Sequence, residues 1–158
     1  MSFFASLSTS IRGELSAGRV GRPVSLRAYV EISSDHGRLR EVLAQLGVKA
    51  MDWLGDTPRR VMVLGAEPAE HLCALFEGTD GATALVTTSV QRRATPRVDL
   101  LILGDRGTLR FNNAANELAV DITVEPTGSP SHNQVLGAIE SSLRQRTPAD
   151  LAPLKEEN

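Results

Sequence analysis

Residues 15–32 read Leu15-Ser16-Ala17-Gly18-Arg19-Val20-Gly21-Arg22-Pro23-Val24-Ser25-Leu26-Arg27-Ala28-Tyr29-Val30-Glu31-Ile32, and this stretch decides the fold. Val24, Leu26, Ala28, Val30 and Ile32 alternate with Ser25, Arg27, Tyr29 and Glu31. Side chains two apart share a side of an extended chain, so the pattern predicts a strand buried on one face only. Upstream, Phe4, Leu7, Ile11 and Leu15 recur every three or four residues. That spacing predicts a helix over residues 2–17, with Gly18 placed to cap it. Residues 19–23 then turn the chain into the strand.

Further along, Ser33-Ser34-Asp35-His36-Gly37 reads as a loop, and Leu39, Val42, Leu43 and Leu46 fall on one side of a helix. Gly47 and Gly55 bracket a second, short helical piece carrying Met51, Trp53 and Leu54, which Pro58 ends. Residues 60–64 and 71–76 predict short strands, although residues 69–76 fit a helical turn equally well. Gly78-Thr79-Asp80-Gly81 is a hairpin turn into the β-branched run 82–90. Arg92-Arg93-Ala94-Thr95-Pro96 breaks that run. Residues 98–103 and 108–111 are joined by a second hairpin signal, Gly104-Asp105-Arg106-Gly107. Leu118, Val120, Ile122 and Val124 alternate once more. Ser131 is placed as the N-cap of a last helix with Val135, Leu136, Ile139 and Leu143 on one face. From Thr147 the chain reads as fraying. The expected organisation is one domain over residues 1–150 and a flexible tail over 151–158.

Helices gathered against one face of an open, mostly antiparallel sheet make an α+β two-layer sandwich, which is the expected fold class. Its other face would carry Arg27, Tyr29, Thr83, Leu85, Thr87, Ser89, Leu101 and Leu103. That mixture is too apolar for a wholly wet surface and too polar for a core, so it predicts a subunit interface or a shallow binding surface.

Composition narrows the function. With 158 residues, 41% apolar and 23% charged, the chain has the size and make-up of one globular domain. A net charge of −2 argues against nucleic acid or an anionic membrane as the main partner. Aromatic residues at 4% are too few for a base- or sugar-stacking platform. Cys73 is the single cysteine, so no disulfide can form within the chain. No apolar run reaches the length of a membrane span, and the first residues lack the pattern of a secretory signal. A cytoplasmic protein is expected.

Three stretches, in this order, resemble the C-terminal α/β domain of the glucose–fructose oxidoreductase/inositol dehydrogenase-like (Gfo/Idh/MocA) family. Leu15-Ser16-Ala17-Gly18-Arg19-Val20-Gly21-Arg22-Pro23-Val24 is similar to that family's helix, Gly-Arg/Lys-Ile/Val-Gly turn and first strand. Leu46-Gly47-Val48-Lys49-Ala50-Met51-Asp52-Trp53-Leu54-Gly55 is similar to its Gly-x-His-x-x-Asp helix. Asp80-Gly81-Ala82-Thr83-Ala84 and Leu103-Gly104-Asp105-Arg106-Gly107-Thr108-Leu109 resemble its two hairpins, and Ala138-Ile139-Glu140-Ser141-Ser142-Leu143 its final helix.

The resemblance implies an open-sheet fold, oligomerisation through that sheet, and in full-length members a nucleotide-binding Rossmann half. Neither that half's Gly-x-Gly-x-x-Gly turn nor its Glu-Lys-Pro lysine motif is present in this sequence, so no cofactor is expected. The family's Asp-x-Gly-x-His pattern supplies an acid/base pair at the substrate, and here those positions hold Gln45 and Lys49. Glutamine cannot exchange a proton, and a solvated lysine titrates far above neutrality. Asp52 matches the family's later aspartate. Inherited dehydrogenase chemistry is therefore not expected.

Residue types with chemistry of their own leave a second reading. Asp35 and His36 could act as an acid/base pair, and with Lys49 and Asp52 could line a ligand pocket beside the sheet. His71 and Cys73 share a side if their segment is a strand, which gives two metal ligands of the four that a structural zinc requires; His36 and His132 lie far away in sequence. The pairs Arg59-Arg60 and Arg92-Arg93 read as solvated charges, and Trp53 as a packing anchor. The leading expectation is a non-catalytic interaction module whose partner is a second copy of itself, in a dimer, or a separate Rossmann-type subunit.

Overall fold

The computed structural model describes residues 3–33, 38–66, 70–91, 97–112 and 130–152. Its elements run α1 (Phe3–Ser16), β1 (Pro23–Ser33), α2 (Leu39–Leu54), β2 (Pro58–Gly65), β3 (His71–Gly78), β4 (Thr83–Gln91), β5 (Arg97–Gly104), β6 (Thr108–Asn112), α3 (Pro130–Gln145) and β7 (Ala149–Asp150). The strands form one sheet in the order β6-β5-β1-β4-β3-β2-β7. Among the described residues only β1 and β4 pair in parallel, and every other neighbouring pair is antiparallel. The fold is α+β, an open and mostly antiparallel sheet with helices packed on one face.

Strand alternation sets which side chains enter the core. Leu26, Ala28, Val30 and Ile32 of β1 are buried, and their cross-strand partners include the buried Ala84, Val86 and Thr88 of β4 and Val98, Leu100 and Ile102 of β5. Leu72, Ala74 and Phe76 of β3 and Val61 and Val63 of β2 continue the layer. Opposite them, α2 contributes Leu39, Leu43, Leu46, Ala50, Met51 and Leu54, and α3 contributes Val135 and Ile139. Burying this contiguous apolar layer supplies most of the driving force for the sandwich.

The helix ends follow backbone chemistry. Gly18 after α1 and Gly55 after α2 take left-handed backbone, with φ of 73° and 67°. Beyond α2, the Gly55 and Asp56 N–H groups return to the carbonyls of Asp52 and Met51, satisfying helix-end acceptors that would otherwise be bare.

Several expectations are corrected. The two helical pieces expected around Gly47 are one uninterrupted helix, α2. Gly47 is there because α2 lies close on the sheet: a Cβ at this position would stand 2.3 Å from the Phe76 ring. Of the two readings open for residues 69–76 the strand holds, because β2 and β4 pair with residues 71–78 on either side. Ser131 lies inside α3, which starts at Pro130, a residue suited to a first turn because its missing N–H has no partner to lose. The stretch after Thr147 does not fray at once: Ala149 and Asp150 pair with β2, Leu151 N–H reaches the Arg59 carbonyl at 2.8 Å, and Leu151 is buried. The alternation at Leu118–Val124 and the Arg92-Arg93 pair lie outside the described residues.

Candidate functional site

Two regions could carry function: α2, where the resemblance puts an acid/base pair, and the sheet face opposite the helices. On α2, Gln45 is 2% exposed, and among the described residues neither of its amide atoms has a hydrogen-bond partner. Lys49 is half-buried. Asp52 is exposed, and its carboxylate accepts a hydrogen bond from Arg12 of α1 at 2.6 Å. A small cleft of about 200 Å³ between α2, the start of α3 and the end of the described chain includes Asp52, Asp56, Gln134 and Ala152, but neither Gln45 nor Lys49. The geometry thus ties Asp52 to α1 and encloses Gln45. Asp35 and His36, the other candidates, lie outside the described residues.

The sheet face is different. Register places all eight residues expected there on one side, in rows across the strands. One row runs Leu103, Ser25, Thr83, Glu77; the next Leu101, Arg27, Leu85, Leu75, Met62; the next Asp99, Tyr29, Thr87, Cys73, Leu64. Four of these leucines stand well out of the protein: Leu64 at 61%, Leu103 at 39%, and Leu75 and Leu85 at 38% each. Among the described residues the fifth exposed large apolar side chain is Val24, at the start of β1. Exposed apolar groups scattered singly need no explanation, but four on one face form a patch.

Polar groups on this face are largely tied to each other. The Tyr29 hydroxyl donates to Glu31 at 2.7 Å and lies 3.1 Å from Ser89 Oγ, and Ser25 Oγ lies 3.2 Å from Thr83 Oγ1. At the margins Arg110 reaches Asp99 at 3.4 Å, and Arg59 and Arg60 approach Glu77 at 3.5 and 3.9 Å. Arg27, between Leu101 and Leu85, has no such partner among the described residues.

Burial pushes the Tyr29 phenol above its ordinary value, and the Glu31 carboxylate adds to this, while the Ser89 bond and the Arg97 charge partly oppose it. Tyr29 is the single tyrosine, so ultraviolet absorbance follows it alone. Its ionisation is expected above pH 10.0, and Glu31→Gln moves the midpoint back down.

Leu64, Leu75 and Met62 were missed by sequence reading, and Cys73 was singled out only as a metal-ligand candidate. The signal was there: His71, Cys73, Leu75 and Glu77 alternate with Leu72, Ala74, Phe76 and Gly78. A segment that fits helix or strand, however, has no assigned sides. His71 and Cys73 do share the open face, and Thr87 Oγ1 approaches Cys73 Sγ at 3.4 Å. Among the described residues no group of three or more His, Cys, Asp or Glu side chains is placed to hold a metal ion. No helix among them is long and apolar enough to cross a membrane.

A seven-stranded sheet with helices on one face and a patch of leucines on the other defines an open-faced α+β sandwich domain. That fold is found in inositol dehydrogenases, the enzymes of the family that the sequence motifs resemble. The chain superposes on myo-inositol dehydrogenase from Lactobacillus casei with a TM-score of 0.73 and 14% identity, over 96% of this chain and 60% of that one. For scyllo-inositol dehydrogenase from the same organism the values are 0.72 and 13%, over 92% and 62%. For a myo-inositol dehydrogenase from Corynebacterium glutamicum they are 0.67 and 10%, over 92% and 61%. The chain thus spans about three-fifths of the length of these structures, and the likeness is one of fold. No family model and no curated protein sequence matches it.

Proposed function

We propose that this chain is a non-catalytic, oxidoreductase-like sheet domain that works as an association module, its occupant being a second copy of itself. The observation that carries this reading is the group of four exposed leucines, Leu64, Leu75, Leu85 and Leu103, around Arg27 and Tyr29 on the sheet face opposite the helices. Apolar anchors with an interspersed arginine and tyrosine are the residue types that dominate association energies. The hydroxyls of Ser25, Tyr29, Thr83 and Ser89 already bond within the face and lose little when water is removed, Arg27 is left to find its partner across the interface, and the margin charges supply the polar rim.

The α2 region supports the non-catalytic part. An acid or base must reach a substrate proton directly or through one water. At the position where the family carries its acid, this chain has an amide that cannot exchange a proton and is 2% exposed. Lys49 and Asp52 do not replace that pair as they stand, because Asp52 is engaged by Arg12 and Lys49 lies outside the cleft beside α2. A separate Rossmann-type subunit is the alternative partner.

Light scattering at micromolar concentration is expected to give about twice the 17.0 kDa chain mass. Leu85→Asp, at the centre of the face, is expected to weaken the dimer at least 100-fold, the effect of losing about 3 kcal/mol. Cys73 adds a native probe, since its alkylation should be slow in the dimer and fast in Leu85→Asp. A monomeric mass for the unaltered chain sinks the homodimer and leaves the separate subunit, for which co-purification from a native extract is the test.

A further inference from the structure

A second feature, away from the sheet face, has a different chemistry. An open cleft of about 590 Å³ lies where the start of α2, the end of β2 and the end of α3 meet. Its charged lining is Arg40 from α2, Glu140 and Arg144 from α3, and Arg146 from the turn after α3, with Gly65, Ala66 and Leu143 completing it. Among the described residues, three guanidinium groups against one carboxylate make this cleft cationic, on a chain whose overall charge is −2. Arg40 is already engaged, with Glu140 at 3.9 Å among its partners, while Arg144 and Arg146 form no ion pair among the described residues.

Arg146 makes the cleft more than a chance cluster. Its φ is 57°, and it is the sole non-glycine among the described residues with left-handed backbone. The other two helices end on Gly18 and Gly55, residue types that adopt this conformation freely. At the end of α3 the chain instead places an arginine in a region that L-residues with a Cβ disfavour. Helix-dipole compensation accounts for a basic residue such as Arg144 in the last turn, but it does not require a side chain at the left-handed position. What a glycine there would lack is a guanidinium in the cleft.

We propose that this cleft binds the phosphate or diphosphate group of a small metabolite through Arg40, Arg144 and Arg146. The volume lies within the range of small-molecule sites, and the charged lining selects an anion over an apolar ligand. A carboxylate is satisfied by one or two guanidinium forks. A phosphate or diphosphate presents enough oxygens for three, each taking charge-assisted bonds from a planar donor pair.

The test uses the full chain and inorganic pyrophosphate, with sulfate at matched ionic strength as the reference. Pyrophosphate at a hundredfold excess over its Kd is expected to raise the melting temperature by roughly 5 °C beyond sulfate. Arg146→Gly is expected to leave the melting temperature without ligand equal or higher, because glycine relaxes the backbone, yet to weaken pyrophosphate at least tenfold in calorimetry. Arg144→Gln is expected to weaken it likewise, and Arg106→Gln, in the β5–β6 turn and outside the cleft, to leave it unchanged. Three results would overturn the proposal. They are the absence of a pyrophosphate-specific shift, unaltered binding in both cleft variants, and equal weakening by Arg106→Gln, which would signal diffuse charge alone.

Discussion

Replacing Asp56 by alanine is expected to lower the stability of the fold by about 2–3 kcal/mol, measured by urea unfolding at pH 7. Asp56 follows the Gly55 cap of α2, and its carboxylate ties that corner to the β3–β4 hairpin. It accepts from Thr57 N–H at 2.7 Å, Thr79 Oγ1 at 2.9 Å, and Asp80 and Ala82 N–H at 3.1 Å each. Alanine would leave those donors to water or to nothing. Hydrogen bonds to a charge contribute about 1.5–3 kcal/mol singly, but four on one half-exposed group do not add, so the total stays near the value for one. Gly78 belongs to the same knot, because a Cβ there would meet the Asp56 carboxylate at 2.0 Å.

Acid sharpens this test. Burial by itself would raise the Asp56 pKa, but the bonds from Asp80, Thr79, Ala82 and Thr57 outweigh it and hold the group below the usual carboxylate range. A folded-state value below the unfolded one means that the ionised group stabilises the fold above the unfolded pKa of about 3.9. That contribution fades as pH falls through the lower, folded value. The gap between the unaltered chain and Asp56→Ala should therefore persist at pH 5 and narrow only below the ordinary aspartate range. A gap that closes between pH 6 and 5 would contradict the role assigned to this carboxylate.

Gly47→Ala is the second large effect, and its sign is the informative part. By helix propensity alone, alanine should stabilise an interior helical position by about 1 kcal/mol. Packing opposes this, because the new methyl would stand 2.3, 2.6 and 2.8 Å from three atoms of the Phe76 ring, which is itself fully buried. A ring held between α2 and the sheet cannot swing aside, and overpacking of this kind costs about 1–3 kcal/mol. We expect a net loss of about 1–2 kcal/mol, or roughly 3–6 °C in melting temperature. In the Gly47→Ala background Phe76→Leu should cost less than in the unaltered chain, since it makes room for the methyl. Independent effects in that double-mutant cycle would remove the contact from the account.

The same two residues show where sequence reading succeeded and where it stopped. Gly55 was legible as a helix end because a left-handed cap is a local backbone requirement. Gly47 looked like another break, although it is the contact point between α2 and a strand 29 positions downstream, which no local window contains. The segment 69–76 was ambiguous for the same reason: short apolar runs become strands when neighbours pair on both sides, and β2 and β4 do so here. The motif order in the sequence did carry the fold, and the superposition on inositol dehydrogenases agrees with it.

By itself the sequence of residues 15–32 determined a helix, a glycine turn and a strand with distinct sides, because pleat and cap geometry are properties of the local backbone. It also determined that proton transfer cannot start from Gln45. Only the tertiary structure decided that β1 lies centrally between β5 and the parallel β4. That strand order sets Leu103, Leu85, Leu75 and Leu64, from four strands, on one exposed face. It was likewise the tertiary structure that enclosed Gln45 and gathered Arg40, Arg144 and Arg146 around one cleft. The physical reason is common to all three outcomes: they follow from which elements pack together, and packing is settled by burial of the whole apolar layer at once rather than by any local stretch of chain.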